Sequence, residues 1–528
     1  MWFRDRLFVL AVLLACTVTG VTWHFGARAV GGADSYGYAS QADAWLSGHL
    51  IIEQPWVHTD VPPFSERAFA PLGWRLKTET SMVPIYSTGY PMMMATAKRL
   101  GGHGAIFVVA PLCAGLLVFA TFLIGARVAS RRVGLLAAAL VATSATVLHM
   151  SMVPMSDVPS AAVWTLALAL TLMHTRRGAI IGWLVAALAI LVRPNLVVLA
   201  ALMTLWLLVQ DWSRHRGRWS QWCAPWFAVF AGAGVVTNAS LNTAFYGSAT
   251  LSGYGDLGNF YAWAHMWPNV RLYLQWIASA ESPLAVLALA ATICPVVLWG
   301  AGDRARPAAW LIALSTAYVF ALYCGYLVFE SWWYLRFMLP MWPALAVTTA
   351  IGLVWLWEHP QRWARASAVA VALAVMTHGV VFAVQHDSFT IGLTESRYPA
   401  VARVVSGVTD PDAAIITLQH SGTVRYYGGR ITLRWDFIEP EQLDPALRWL
   451  SAHGHRPYLL LDKFELEKFR DRFAGYSEIA DVRWTPSVTL FRGETMLFDV
   501  ADRTRDVVTT NTGAYTRHAV PPVARPHW

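Results

Sequence analysis

Two aspartates stand where a carboxylate is costly to keep. Asp34 lies in Gly31-Gly32-Ala33-Asp34-Ser35-Tyr36, a few residues past the end of a long apolar run, on a Gly-Gly turn that lets the backbone place it freely. Asp157 lies in Ser156-Asp157-Val158-Pro159, where another apolar run begins. Ionisable groups beside a membrane are expensive and mark candidate functional sites. A carboxylate there can take a proton from a hydroxyl or hold a cation. Each also has a plainer reading, as the N-cap of a helix that continues with Pro for Asp157 and as a turn-stabilising loop aspartate for Asp34. Lys77, Arg75, Arg193, Arg271 and Arg336 offer cations outside the apolar runs. Placed on the outer side, with Arg75, Lys77 and Arg271 inside the outer segments and not at helix ends, these cations suit either an anionic substrate group or simple interfacial anchoring with the stem in the apolar layer. Glu330 and Asp256 are further acids, and His58, His265 and Glu53 are potential metal ligands without a spacing that defines a site. Cys16, Cys113, Cys223, Cys294 and Cys324 all lie inside apolar blocks, which argues for neither a disulfide framework nor a zinc motif.

The elements that must position these residues are membrane helices. Of 528 residues only 14% are charged and 56% are hydrophobic, against roughly 25% charged in soluble proteins. A spanning helix needs about 20 mainly apolar residues. Eleven blocks qualify, at about 7–27, 104–126, 133–150, 157–174, 178–192, 195–210, 222–245, 283–300, 308–329, 338–357 and 366–385. The two blocks flanking Arg193-Pro194-Asn195 are short and read as a pair meeting at a Pro-broken turn at one membrane face. The net charge of +8 is not read as a nucleic-acid footprint: only Lys77, Lys98, Lys463 and Lys468 among the 40 basic residues are lysine, and such an arginine bias is more often the mark of a GC-rich genome than a binding device.

Arginine placement orients the chain. With the N-terminus inside, the inner segments carry Arg4, Arg6, Arg127, Arg131, Arg132, Arg176, Arg177, Arg214, Arg216, Arg218, Arg304, Arg306, Arg362 and Arg365 against Asp5, Asp211, Asp303 and Glu358. That is 14 − 4 = +10 inside, leaving 8 − 10 = −2 for everything else. An odd helix count puts the C-terminus outside, in agreement. The first block also fits a signal peptide with Ala27-Arg28-Ala29 as its cleavage site. Its apolar run is longer than a usual signal core, and helix parity is the same either way.

The expected organisation is therefore a multi-helix membrane domain over 1–385 with large outer segments at 28–103 and 246–282. An extracytoplasmic α/β domain follows over 386–502, with a disordered tail over 503–528. In the C-terminal domain, 413–418 and 458–461 suit buried strands and 424–430 ends in a Gly-Gly turn. The segments 441–453 and 463–473 carry apolar residues at helical spacing. Trp56, Trp74, Trp263, Trp267, Trp332 and Trp333 fall in outer segments. Interfacial belts explain tryptophans of this kind, and an aromatic face can also stack on a sugar.

The order of motifs carries more than the charges do. A basic N-terminus and first helix precede Asp34-Ser35-Tyr36-Gly37-Tyr38, then Tyr86-Ser87-Thr88-Gly89-Tyr90-Pro91, then Ser156-Asp157-Val158-Pro159. Arg193-Pro194 and Tyr334-Leu335-Arg336-Phe337-Met338-Leu339-Pro340 follow. Over residues 1–385 this resembles the GT-C superfamily of membrane glycosyltransferases, in particular the protein-mannosyltransferase-like and lipid A aminoarabinose-transferase-like branch. The resemblance implies a polytopic α-helical GT-C fold of about 11 helices in a bacterial cytoplasmic membrane. It implies an inverting transfer of one sugar from a polyprenyl-phosphate donor to a glycan, lipid or protein acceptor at the outer face. Asp34 matches the catalytic base, and Asp157 matches a second acid that assists, by orienting the site or, with Asp34, by holding a divalent metal. Protein mannosyltransferases carry an adjacent acidic pair in the first loop, whereas here Ser35 follows Asp34.

The chemistry fits the residue types. A phosphate leaves readily near neutral pH, but a hydroxyl is a poor nucleophile until a carboxylate takes its proton. One base opposite the departing phosphate gives single displacement with inversion. Charge growing on the phosphate calls for a cation, and Arg336, Lys77 and Arg193 are the candidates. Tyr36, Tyr86, Tyr90, Tyr334 and Glu330 are the candidate substrate contacts. The rival class is a transporter or lipid flippase, which would favour an inverted repeat and ionisable groups at mid-membrane.

Overall fold

A computed structural model of the chain describes residues 6–54, 61–303, 305–504 and 508–509. His58, Trp56, Arg4 and Arg304, and the tail beyond Thr509, lie outside the described residues. The chain divides into two compact units. One comprises Met1–Gly26, Ser87–Tyr90 and Val108–Ile391; the other comprises Ala27–Tyr86, Pro91–Phe107 and Gly392–Trp528.

The first unit is helical throughout its apolar blocks, because a backbone in lipid must satisfy its own hydrogen bonds. Each of the eleven blocks is helical. Among the described residues seven helices are long and apolar enough to cross a bilayer: Arg6–Phe25, His103–Val128, Pro194–Arg214, Ala224–Tyr246, Arg306–Cys324, Trp332–Glu358 and Arg362–Gln385. An eighth candidate is the pair Arg131–Ala142 and Ala145–Ser151, bent by 60°. Asp157–Thr171 and Pro283–Ile293 are shorter apolar helices, and Arg176–Val192 ends where Pro194 follows. The bend at Ser144 has a visible cause. Glu281 closes a π-helical turn and accepts from the Ser144 hydroxyl (2.9 Å) and from the backbone N–H (3.0 Å) and hydroxyl (2.6 Å) of Thr146. It thereby caps the second half of the bent pair.

The second unit joins the first outer segment to the end of the chain. Its small antiparallel sheet places Ser81–Pro84 between Ile52–Glu53 and Trp74–Thr78. The larger sheet runs Ile431–Leu433, Ala414–Ile416, Pro457–Asp462, Thr495–Asp499, Val488–Leu490 and Val508–Thr509 in spatial order. Its first three strands are parallel, with Ile415 opposite both Thr432 and Tyr458. Thr495–Asp499 pairs antiparallel with both of its neighbours. Helices Leu443–Ala452 and Lys463–Phe473 fall where the apolar spacing predicts them. The Gly-Gly pair at 428–429 does not turn a hairpin. It ends the helix Ser421–Gly428, with Gly429 in the left-handed region at φ 61°. Phe64 and Phe69 from the outer segment pack with Trp449, Leu459 and Phe469 in one core. Trp74 is buried as well, its indole N–H donating to Ser40, while Trp263 and Trp267 are exposed.

Candidate active site

In the first unit three predicted residues come together. Asp157 opens the helix Asp157–Thr171 and is buried. Its side chain does not cap that helix, which takes Ser156 as an N-cap without a side-chain bond. Arg193, held at the end of Arg176–Val192 by the Pro194 break, instead donates from Nη2 to Asp157 Oδ1 at 2.6 Å. Arg336 approaches the other oxygen at 4.0 Å. Arg336 lies over the rings of Tyr334 (5.2 Å) and Phe337 (5.0 Å), and Arg193 reaches the Phe337 ring at 5.8 Å. One buried carboxylate thus faces two guanidinium groups.

An aromatic and amide shell that the motif reading did not single out supports this centre. Asn195 Nδ2 donates to the hydroxyls of Tyr261 and Tyr323, each at 3.2 Å, and the Tyr323 ring stacks on Phe337. Asn195 sits in the same break as Arg193, and its signal in the sequence was the dipeptide Pro194-Asn195 at a helix interruption. Glu330 is exposed just before the Trp332–Met341 segment. Tyr90 is fully buried in the first turn of Gly89–Gly101.

Asp34 belongs to the second unit, as the first residue of the helix Asp34–Ser47. Tyr86 donates from its hydroxyl to Asp34 Oδ1 at 2.6 Å, and the Tyr86 ring packs on Tyr38 at 4.4 Å. A hydrogen bond to one oxygen restrains the carboxylate's rotamer. Tyr36 points away from this pair. It is wholly buried against Gly422 and Tyr426, and burial pushes its hydroxyl up to about 12. Lys77 is exposed on the strand Trp74–Thr78.

Among the described residues a group with the right atoms for a metal ion is His174, Asp211 and Cys223, whose ligand atoms lie within 4.8 Å of one another. All three fall in segments that the charge bias places inside. Asp211 already accepts from His174 Nε2 at 3.0 Å and from the backbone N–H groups of Cys223 and Ala224 at 2.7 and 2.8 Å. It thereby caps the helix Ala224–Tyr246.

Comparison with known proteins places this arrangement. A family model described as Oligosaccharyl transferase STT3, N-terminal, matches residues 35–214, which take in Asp157 and Arg193 and begin one residue after Asp34. Comparison with curated protein sequences brings no match. The oligosaccharyltransferase of Archaeoglobus fulgidus, tethered with an acceptor peptide containing the NVT sequon, superposes with a TM-score of 0.56 at 12% identity. That match covers 92% of this chain and 73% of that one. Archaeal AglB from the same organism, in complex with an inhibitory peptide and a dolichol-phosphate, gives 0.56 at 11% identity, covering 90% and 72%. ArnT from Cupriavidus metallidurans in the apo state gives 0.54 at 14% identity, covering 92% and 97%. The chain is a multi-pass membrane protein with the GT-C fold and a C-terminal sheet domain.

Proposed function

We propose that this chain is an inverting glycosyltransferase that moves one sugar from a polyprenyl-phosphate donor to an acceptor at the outer face of the cytoplasmic membrane. The observation that carries the reading is the pair Arg193 and Arg336 converging on buried Asp157 in a GT-C fold. Two planar guanidinium groups on one carboxylate make a seat for a second anion, and a lipid-linked phosphate at the membrane edge is that anion. The dolichol-phosphate in the AglB complex supports a donor of this class.

In this mechanism the acceptor hydroxyl attacks the anomeric carbon from the face opposite the phosphate. Asp34 takes the hydroxyl proton as the new C–O bond forms. The old C–O bond breaks toward the phosphate, which leaves with the electron pair and is met by Arg336 and Arg193. Asp157 holds both guanidinium groups in place. A divalent metal at Asp157 fits the observed contacts poorly, since Arg193 already donates at 2.6 Å to one of its oxygens and an added cation would face two positive charges. The arginines supply the cationic role there. Tyr86 orients Asp34, while Tyr334 forms the floor beneath Arg336. Tyr90, Lys77 and Glu330 remain candidate contacts for acceptor or headgroup.

A transporter or flippase is disfavoured. The family model and the Archaeoglobus fulgidus neighbour are described as oligosaccharyl transferases, and the ion-paired carboxylate lies at a helix start, not at mid-helix. The acceptor is a glycan, a lipid or a protein. Mass spectrometry of cell-envelope glycans and lipids with and without the gene tests the reading. Loss of one sugar on deletion is the expected result, and an unchanged envelope under conditions of expression would overturn it.

A further inference from the structure

The C-terminal sheet has the geometry of a ligand site. From the central strand Ala414–Ile416 the chain leaves toward Ile431–Leu433 on one side, and from Pro457–Asp462 it leaves toward Thr495–Asp499 on the other. The gap between the first and third of these strands is therefore the switch point, outside whose carboxyl ends open α/β sheets bind ligands. His420 and Asp462 meet there at 3.0 Å, both fully buried, and the Thr495 hydroxyl donates to the same Asp462 oxygen at 2.6 Å. Arg397 reaches Asp462 Oδ2 at 3.6 Å, and the Tyr398 ring lies 5.2 Å from that of His420.

The crevice is occupied by the chain itself. Gly31 lies directly on Tyr398 and Glu395, so closely that a methyl group added to it would overlap the ring and the carboxylate. Gly32, at φ +56°, is seated so that a Cβ would stand 3.2 Å from Gln419 Nε2, which itself donates to the Tyr398 hydroxyl at 2.8 Å. Next to the turn, the Tyr427 hydroxyl accepts from the backbone N–H of Val30 at 2.8 Å, and Gly422 lies flat against Tyr36. The Gly-Gly pair is thus required by close approach as well as by backbone freedom.

We propose that the switch-point crevice serves as a seat for the Gly31–Gly32 turn, and that Tyr398, Gln419 and Glu395 are positioning residues that set where Asp34 stands. The proposal rests on the reading of Asp34 as the base. Glu395 faces Gly31, Arg397 and Tyr398, and Arg397 in turn faces Asp462, the partner of His420. Burial raises the Glu395 carboxyl to about 7, against the pull of Arg397. A folded-state value raised above the ordinary one means that its contribution is complete at low pH and is lost as pH rises through about 7.

The test uses the full chain in detergent or nanodiscs, with Gly31→Ala, Tyr398→Ala, Glu395→Gln and the double variant Gly31→Ala/Tyr398→Ala. Hydrogen exchange over residues 29–38 is read alongside the envelope sugar lost on gene deletion. Gly31→Ala is expected to speed exchange and cut product by about tenfold or more, since a misplaced base loses rate steeply. The double variant, which removes the ring overlap but leaves Glu395 Oε2 2.5 Å from the added Cβ, is expected to recover part of the protection and product relative to Gly31→Ala alone. Protection in the wild type should fall as pH rises through neutrality, and Glu395→Gln should abolish that fall. Wild-type behaviour of Gly31→Ala overturns the proposal. A double variant that elutes as a folded monodisperse protein but is no better than Gly31→Ala overturns it too. Full activity of Asp34→Asn would sink the base assignment instead, leaving the exchange data to decide the seating on their own.

Discussion

Replacing Asp34 by Asn is expected to lower transfer by about 10²–10⁴-fold, the range for loss of a positioned general base. The variant keeps an oxygen for the Tyr86 hydroxyl, which donates to Asp34 Oδ1 at 2.6 Å, so the loop should hold its place and the protein should insert and accumulate normally. The lost property is the ability to accept a proton. Initial rates with donor and acceptor both saturating separate the two contributions, because the effect falls on kcat and not on donor KM. Near-normal turnover would remove Asp34 from the mechanism. Tyr86→Phe is the companion variant, expected to cost less than about tenfold because it loosens the carboxylate without removing it.

The second large effect separates the two arginines. Arg193 makes the close bond to buried Asp157, whereas Arg336 stands 4.0 Å from the other oxygen. Removing one partner of a buried pair strands the other charge and costs about 3–5 kcal/mol. Arg193→Ala is therefore expected to reduce stability and abundance together with activity. Arg336→Ala leaves the Arg193 bond intact, so the protein should remain folded. It should then raise the apparent KM for the lipid-phosphate donor by about 10–100-fold, the worth of one charge-assisted contact. An unchanged donor KM would return Arg336 to an interfacial anchor. Arg336→Lys tests the planar geometry, since an ammonium group keeps the charge but cannot form the two-pronged contact or the same ring stacking.

Sequence periodicity and charge located the helices well, because apolar length and backbone satisfaction leave a chain in lipid little choice. The Pro194 break and the helix Lys463–Phe473 were legible for the same local reasons. Pairings across the chain were not. Asp157 and Arg193 lie 36 residues apart, and nothing in either motif states that one guanidinium takes the carboxylate from its capping position. Tyr36 shows how proximity misleads. It is two residues from Asp34, which on a helix is the opposite face, whereas Tyr38 at four residues shares the face of Asp34 and packs on Tyr86. The expectation that 424–430 would end in a turn was met by a helix C-cap, because Gly-Gly serves either purpose and only tertiary packing decides.

The bond from Val30 to Tyr427 joins residues 397 apart, and that span sets a timetable for biosynthesis. At about 5–20 residues per second the ribosome needs roughly 20–80 s to supply the seat after the turn has been made. Throughout that interval the Gly31–Gly32 turn lacks the seat that Glu395, Tyr398 and Gln419 provide. With Asp34 as the proposed base, competence for transfer is thereby expected only once the seat has been made, and a polypeptide stopped before Tyr398 is expected to insert its helices without a placed base.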